Sequence, residues 1–330
     1  MRDSRGVTPV VALIMVLTST ACATVTVRVP VVRPAEIDLH GKNELVLAGI
    51  SAPINMMPAA NEINDRLKNA VVDCGRFKVV DRQHLERINA ERSMGASERA
   101  KLTGSIMLFG RLEKSGYAEK LYANKDVCMR MQGEKEINYP CTKNERVGEA
   151  HVTVAFDVVD VQSGENLKAK RMVCAERRTI VANDAEPAAI AGRTLIEICN
   201  QRVVEDFVKA IAPWEDVVAA SFLRDRELPS LEVGINYAKQ GEWRDAIDRF
   251  KVAVDMASAN ADLTPSVVAK THWDLGLAYE YSAQFDRAMA EVKLAYDLTE
   301  DEDFLQEIGN IKTLKSDQER LHARSIPTGT

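Results

Sequence analysis

Two series of small and aromatic residues with the same internal spacing lie in the last third of the chain, and they constrain the fold most strongly. Their offset is 42 residues: the first series is Gly234, Tyr237, Gly241, Trp243, Ala246, Phe250 and Ala253, and the second is Gly276, Tyr279, Ala283, Phe285, Ala288, Val292 and Ala295. Small residues let paired helices approach closely, while larger side chains fill the space between pairs. The repeat therefore predicts an all-α region built from stacked helix pairs.

These residue types and intervals resemble the tetratricopeptide (TPR) repeat family, most closely from Trp273 to Ala295. The usual period is about 34 residues, so the longer offset implies an insertion around 257–265. The resemblance implies two TPR repeats over 229–300, followed by a capping helix and tail over 301–330. A linker helix is predicted over 214–228.

In a TPR pair the first helix lines a concave groove, and this resemblance predicts where a protein partner binds. The predicted groove residues are Leu231, Ile235, Lys239, Trp273, Leu277 and Tyr281. Aromatic side chains supply much of the binding energy in interfaces, which favours Trp273 and Tyr281 as contacts. A second interpretation of Trp273 is that it packs against the long helix predicted over 187–211 or against the capping helix.

The N-terminus has the order of a secretory signal: Arg2 and Arg5, an apolar run over 7–17, and small residues before Cys22. This order resembles a bacterial lipoprotein signal, in which the cysteine becomes the lipidated first residue. Ser19 replaces the usual leucine, so cleavage near Ala21 by an ordinary signal peptidase is the alternative. The resemblance predicts a signal peptide over 1–21 and a tether over 22–42. Ala23 favours the outer membrane.

A secreted chain enters an oxidising compartment, where its cysteines can form disulfides. Cys128 and Cys141 flank a polar insert, and their pairing would close a short loop. Two free thiols are the alternative for this pair. Cys174 and Cys199 are predicted as a second, strand-to-helix pair, which would leave Cys74 buried and reduced.

The region 43–213 alternates strand and helix patterns, which predicts an α+β domain with a mixed or antiparallel sheet. Val152, Val154, Phe156 and Val158 share one strand face. The strand 44–50, the run 76–82, the run 104–106 and especially the run 154–167 resemble the periplasmic domain of the curli-secretion channel lipoproteins (CsgG-like). The polar link over 115–148 carries charges on both faces, which argues against insertion into a membrane as in those channels.

Composition and motifs weigh against several functions. The formal net charge of −6 does not favour a nucleic-acid partner. The sequence contains no phosphate-binding glycine loop, no nucleophile elbow and no zinc motif. We therefore expect no enzyme, cofactor or metal, but an outer-membrane lipoprotein that acts in the periplasm as a scaffold or adaptor for envelope proteins. A subunit of a CsgG-type secretion channel or ring, and hence a homo-oligomer, is the alternative.

Overall fold

The computed structural model describes residues 24–81 and 105–325, which belong to two compact units. Of these residues, 32–81, 105–216 and 317–325 belong to the first unit, and 24–31 with 217–316 belong to the second. The predicted signal peptide, Cys22 and the predicted helix 82–92 lie outside the described residues.

Strands and helices alternate in the order expected for an α+β domain followed by helices. In chain order they are β1 Thr24–Arg33, β2 Glu44–Ser51, a 3-10 turn Ile54–Met56, α1 Met57–Asp73, β3 Lys78–Asp81, β4 Ile106–Gln132, β5 Lys135–Asp160, β6 Asn166–Asn183, α2 Gly192–Ile211, β7 Trp214–Leu223, α3 Pro229–Lys239, α4 Trp243–Ala259, α5 Pro265–Tyr281, α6 Phe285–Thr299 and α7 Glu302–Ser325.

The first unit is built on a five-stranded mixed sheet with the strand order β3-β2-β4-β5-β6. Strand β2 runs parallel to both of its neighbours, whereas β4, β5 and β6 are antiparallel. The predicted inward face of β5 is confirmed, since Val152, Val154, Phe156 and Val158 are at most 1% exposed. Phe156 stacks on Phe207 of α2, with their ring centroids 4.0 Å apart. The helices α1 and α2 therefore supply the apolar cover of this sheet.

The polar region 115–148 continues the strands β4 and β5 as one long hairpin. These strands are 27 and 26 residues long and pair as far as Gln132 and Lys135. Strand β6 accompanies β5 only from Val159 back to Lys143. Residues 126–141 therefore form a two-stranded tip beyond the edge of β6.

The helices of the second unit pack in succession as the repeat predicts, with close approaches at its small residues. A Cβ atom added to Gly234 would lie 2.4 Å from a ring carbon of Phe250, and one added to Gly276 would lie 2.6 Å from Val292 Cγ2. Gly241 and Ala283, also 42 residues apart, both have positive φ angles (75° and 61°) where each helix pair turns. The offset thus repeats in backbone conformation as well as in sequence.

Two predicted connecting segments are instead strands of one two-stranded sheet. The segment predicted as a tether contains β1, Thr24–Arg33, and the predicted linker helix 214–228 contains β7. Val27, Val29 and Val31 alternate along β1 and are buried in the core of the second unit, which we call the helical unit. Burial of this face explains why β1 is an ordered strand and not an extended tether.

Candidate functional site

The predicted partner groove is filled by the protein's own side chains. Leu231, Ile235 and Leu277 are at most 1% exposed, and Trp273 is 6% exposed. All four belong to the core that also contains the valines of β1 and Phe222 of β7. The prediction that these four residues line an open groove is therefore wrong, because the sheet of β1 and β7 packs with the helices that carry them.

Trp273 shows how the groove is closed. Its indole N–H donates a hydrogen bond to the carbonyl oxygen of Ser221 at 2.7 Å. Its ring stacks on Phe304 at the start of α7, with a centroid separation of 4.6 Å. The interpretation in which Trp273 packs against the capping helix is thus the one that the structure supports.

The other two predicted groove residues retain access to solvent. Lys239 is exposed at the end of α3, with its ammonium 3.4 Å from Asn236 Oδ1. Tyr281 is half-buried and packs on Trp243 with the ring centroids 5.5 Å apart. Two accessible side chains at helix ends do not make a groove.

Polar groups on α5 tie this helix to the end of β7 and the residues that follow it. Lys270 makes a salt bridge with Asp225 at 2.7 Å, and both side chains are largely buried. Asp274 Oδ1 accepts the backbone N–H of Leu223 at 2.8 Å. Burial raises the pKa of Asp274 well above its ordinary value, against the opposing effects of that hydrogen bond and of Lys270. These contacts align β7 with α5, while Asp274 Oδ2 is buried without a hydrogen-bond partner among the described residues.

The second helix of each pair carries an exposed apolar pair that the sequence analysis missed. Val252 and Met256 of α4 are 43% and 46% exposed, and Leu294 and Leu298 of α6 are 46% and 38% exposed. The second pair follows the first at the 42-residue offset, within the matching runs Lys-Val-Ala-Val-Asp-Met and Lys-Leu-Ala-Tyr-Asp-Leu. Comparing exposed-face positions between the repeats, not only the packing positions, would have found them.

The hairpin tip provides a second surface with exposed apolar side chains. Val127, Met129 and Met131 alternate along β4, so they share a face, and each is more than 60% exposed. A disulfide joins Cys128 to Cys141 across the two strands. An isolated two-stranded hairpin is only marginally stable in water, so this bond helps to hold the tip together.

The lower part of the hairpin is fixed by a tyrosine and a charge network. The Tyr117 side chain occupies the space above Gly148 and Gly192, where added Cβ atoms would lie 2.5 Å from its hydroxyl oxygen and 2.5 Å from its Cδ1. Its hydroxyl donates to Glu119 at 2.6 Å, and Glu119 also accepts from Arg146. Desolvation and the Glu119 carboxylate raise the pKa of Tyr117 to about 12. The network is structural because its members satisfy one another.

The remaining cysteines divide into a buried pair and an exposed thiol. A disulfide joins Cys174 of β6 to Cys199 of α2, and both residues are at most 2% exposed. Cys74 has a free thiol and is exposed at the end of α1. The prediction that Cys74 is buried is therefore wrong, since the residue lies past the last inward-facing position of α1, Val71.

Within residues 24–81 and 105–325, no group of three or more His, Cys, Asp or Glu side chains is arranged to hold a metal ion. His272 Nδ1 and Glu291 Oε2 lie 2.7 Å apart as a single pair. No helix in this part of the chain combines the length and the apolar character needed to cross a bilayer.

No protein-family model and no curated protein matches the chain. Among solved structures, a PelC dodecamer from Paraburkholderia phytofirmans is 13% identical, covers 56% of this chain and 98% of that chain, and has a TM-score of 0.31. Lipoprotein GNA1162 from Neisseria meningitidis is 12% identical, with coverages of 50% and 98% and a TM-score of 0.21. A minor lipoprotein from Acinetobacter baumannii is 13% identical, with coverages of 52% and 87% and a TM-score of 0.22. The function must therefore be inferred from the chain's own surfaces.

Proposed function

We propose that the protein is a non-enzymatic lipoprotein of the bacterial outer membrane that acts in the periplasm as a scaffold or adaptor. In this proposal a CsgG-like α/β domain is followed by TPR-type helix pairs that bind a protein partner. The observation that carries the proposal is the exposed apolar pair Val252 and Met256, repeated at Leu294 and Leu298. Apolar positions repeated at a fixed spacing suit a partner that contacts successive helices.

The filled groove determines which face of the helix pairs is available. Because Trp273 and Leu277 are in the core, a partner peptide cannot use the first helices without displacing β1 and β7. The exposed positions on α4 and α6 require no such displacement. The proposed interface is therefore the surface of the second helices, defined by Val252, Met256, Leu294 and Leu298.

The CsgG-like assignment is supported by where the resembling segments lie. The described parts of the resembling runs at 44–50, 76–82, 104–106 and 154–167 contribute to one sheet, in β2, β3, β4, β5 and β6. The turn in the last run is organised by Asp160, whose Oδ1 accepts the N–H of Gln162 at 2.8 Å. Lys42 lies 2.5 Å from Asp160 Oδ2 and lowers its pKa, together with these backbone hydrogen bonds. The most specific resembling run thus forms the end of β5, an ordered turn and the start of β6.

A site-specific photocrosslinker tests the proposed interface in intact cells. We expect probes at Val252 and Leu294 to form an adduct with another envelope protein. Matched probes at Lys251 and Lys293, which are exposed but project from another side of the same helices, should not. No adduct from any position, or equal adducts from all four, would contradict the proposal.

Lipidation of Cys22 is the part of the proposal that concerns location. Strand β1 begins at Thr24, only two positions after Cys22, so an anchor there would hold the helical unit close to the bilayer. A triacylated cysteine supplies more than the single chain that binds membranes only marginally. Cys22→Ser should release the protein into the soluble periplasmic fraction, and unchanged membrane fractionation would exclude the anchor.

The alternative proposal, a subunit of a CsgG-type ring or channel, is favoured by the hairpin tip. Exposed side chains of Val127, Met129 and Met131 on a disulfide-bonded projection would suit contact with a second copy. A photocrosslinker at Met129 distinguishes the two functions. A covalent dimer of this chain in cells would support the ring, whereas a monomer there and a hetero-adduct at Val252 would support the adaptor.

A further inference from the structure

The first unit contains a cavity of about 570 Å³ that the proposed interface does not use. Most of its wall is apolar, contributed by the end of β1 and the segment after it, by the end of α2 and the residues that follow, and by the last part of α7. The apolar side chains are Val32, Ile37, Leu39, Ile211, Pro213 and Leu321. A concave, largely apolar cavity of this size is typical of sites for small organic ligands.

Hydrogen bonds hold the walls of this cavity in place. The Ile37 N–H donates to the Ala210 carbonyl at 2.8 Å, which fixes one wall to α2. Arg320 donates to the Ala35 carbonyl at 2.9 Å, which fixes the same segment to α7. Arg33 adds contacts with Asp216 at 3.2 Å and Asp317 at 3.1 Å. A preformed cavity reduces the entropy lost when a ligand binds.

The charged side chains that line the cavity are exposed to solvent and therefore lie at its rim. Arg76 follows Gly75, whose φ of 64° turns the chain after α1, and the Arg76 side chain lines the cavity. No described residue forms a hydrogen bond or ion pair with Arg76, whereas Asp38 and His322 at the same rim both have partners. A guanidinium offers five N–H donors and binds carboxylates in bidentate geometry.

We propose that this cavity binds a single-chain amphiphile with a carboxylate head, such as a fatty acid. The chain would cover the apolar wall, including Val32, which is 51% exposed. The head would lie at the rim, where Arg76 can pair with it. Asp38 at the same rim disfavours a second negative charge on the ligand, so a singly charged head suits the site better.

Calorimetric titration of the mature chain carrying Cys22→Ser tests the proposal with decanoate as the probe. We expect saturable binding of one decanoate per chain. Decyltrimethylammonium, with the same chain and the opposite charge, should bind at least tenfold more weakly. Arg76→Gln should weaken decanoate binding by about tenfold, since a bidentate ion pair with the carboxylate is replaced by a hydrogen bond from a neutral amide. Arg249→Gln, which removes an exposed arginine from the other unit, should leave the affinity unchanged.

Three outcomes would overturn the proposal. These are no saturable binding of decanoate, equal binding of decyltrimethylammonium, and unchanged decanoate affinity in Arg76→Gln with native circular dichroism. Decyl phosphate is a further probe. If it binds more tightly than decanoate, the head group that the site recognises is a phosphate and not a carboxylate. Leu321→Glu places a charge in the apolar wall and should abolish binding while Arg76 remains in place.

Discussion

On the first helices of the two pairs, Leu231, Ile235 and Leu277 are at most 1% exposed, whereas on the second helices Val252 and Leu294 are 43% and 46% exposed. The first set is covered because β1 and β7 belong to the same apolar core. The second set has no such cover among the described residues. An apolar position in a helical repeat therefore becomes core or surface according to which distant segment packs on it.

We call the buried positions on the first helices the filled face and the exposed positions on the second helices the open face. Trp273→Ala, on the filled face, is expected to have the largest effect on stability. The substitution removes the stack on Phe304 and the hydrogen bond to Ser221, and leaves a large void. We expect the free energy of unfolding of the helical unit to fall by about 3–5 kcal/mol. Chemical denaturation followed by circular dichroism measures this. Trp243→Ala removes a tryptophan that is only partly buried and should cost less; equal losses would mean that Trp273 has no special place in the core.

Val29→Ala tests whether β1 belongs to the core of the helical unit. Val29 is 3% exposed, so loss of two methyl groups should lower the free energy of unfolding by about 2 kcal/mol. Thr26→Ala on the exposed face of the same strand is the matched control and should change it by less than about 0.5 kcal/mol. If the two variants unfold alike, β1 does not cover the first helices in solution.

Substitution of Asp274 should raise the free energy of unfolding, not lower it, by an amount that depends on pH. Burial raises its pKa in the folded state, so the folded protein holds this proton more tightly than the unfolded chain does. The carboxyl therefore costs stability as pH rises from about 4, its ordinary value, through the raised pKa. Asp274→Asn keeps an Oδ1 acceptor for the Leu223 N–H and should be more stable than the unsubstituted protein at pH 7.

The gain in Asp274→Asn should shrink towards zero as pH falls to about 4, where both side chains are neutral. Asp297→Asn, on the exposed part of α6, is the control and should show no such dependence. Denaturation midpoints of the three proteins across this pH range provide the measurement. A difference that stays constant with pH would mean that Asp274 is not titrated in the core.

Local patterns predicted much of this structure, because they report packing between neighbours in sequence. The inward face of β5 and the close approach at Gly234 and Gly276 follow directly from such patterns. The pairing of β1 with β7 does not, since it joins segments about 190 residues apart. Pro30 interrupts the valines of β1, and an edge strand tolerates proline because an edge leaves backbone groups unpaired.

The candidate site was harder to predict for the same reason. Periodicity identified the helix faces of Leu231 and Trp273, but it could not show that a strand from the N-terminus belongs to the same core. The 42-residue offset did contain the exposed pairs, because Val252 and Leu294 occupy equivalent positions. The repeat places apolar residues at equivalent positions on both helices of a pair. Which of these positions are accessible depends on whether a segment distant in sequence packs on them.

The smallest expected effect on stability is on the open face. The double variant Met256→Glu with Leu298→Glu places charges at positions that are 46% and 38% exposed, so each change should alter the free energy of unfolding by less than about 0.5 kcal/mol. The same variant should prevent formation of the adduct from a photocrosslinker at Val252, because charge at an apolar interface must be desolvated. Leu277→Glu, the corresponding change on the filled face, should instead unfold the helical unit. If the double variant also unfolds it, the second helices are covered in the folded protein and the partner must bind elsewhere.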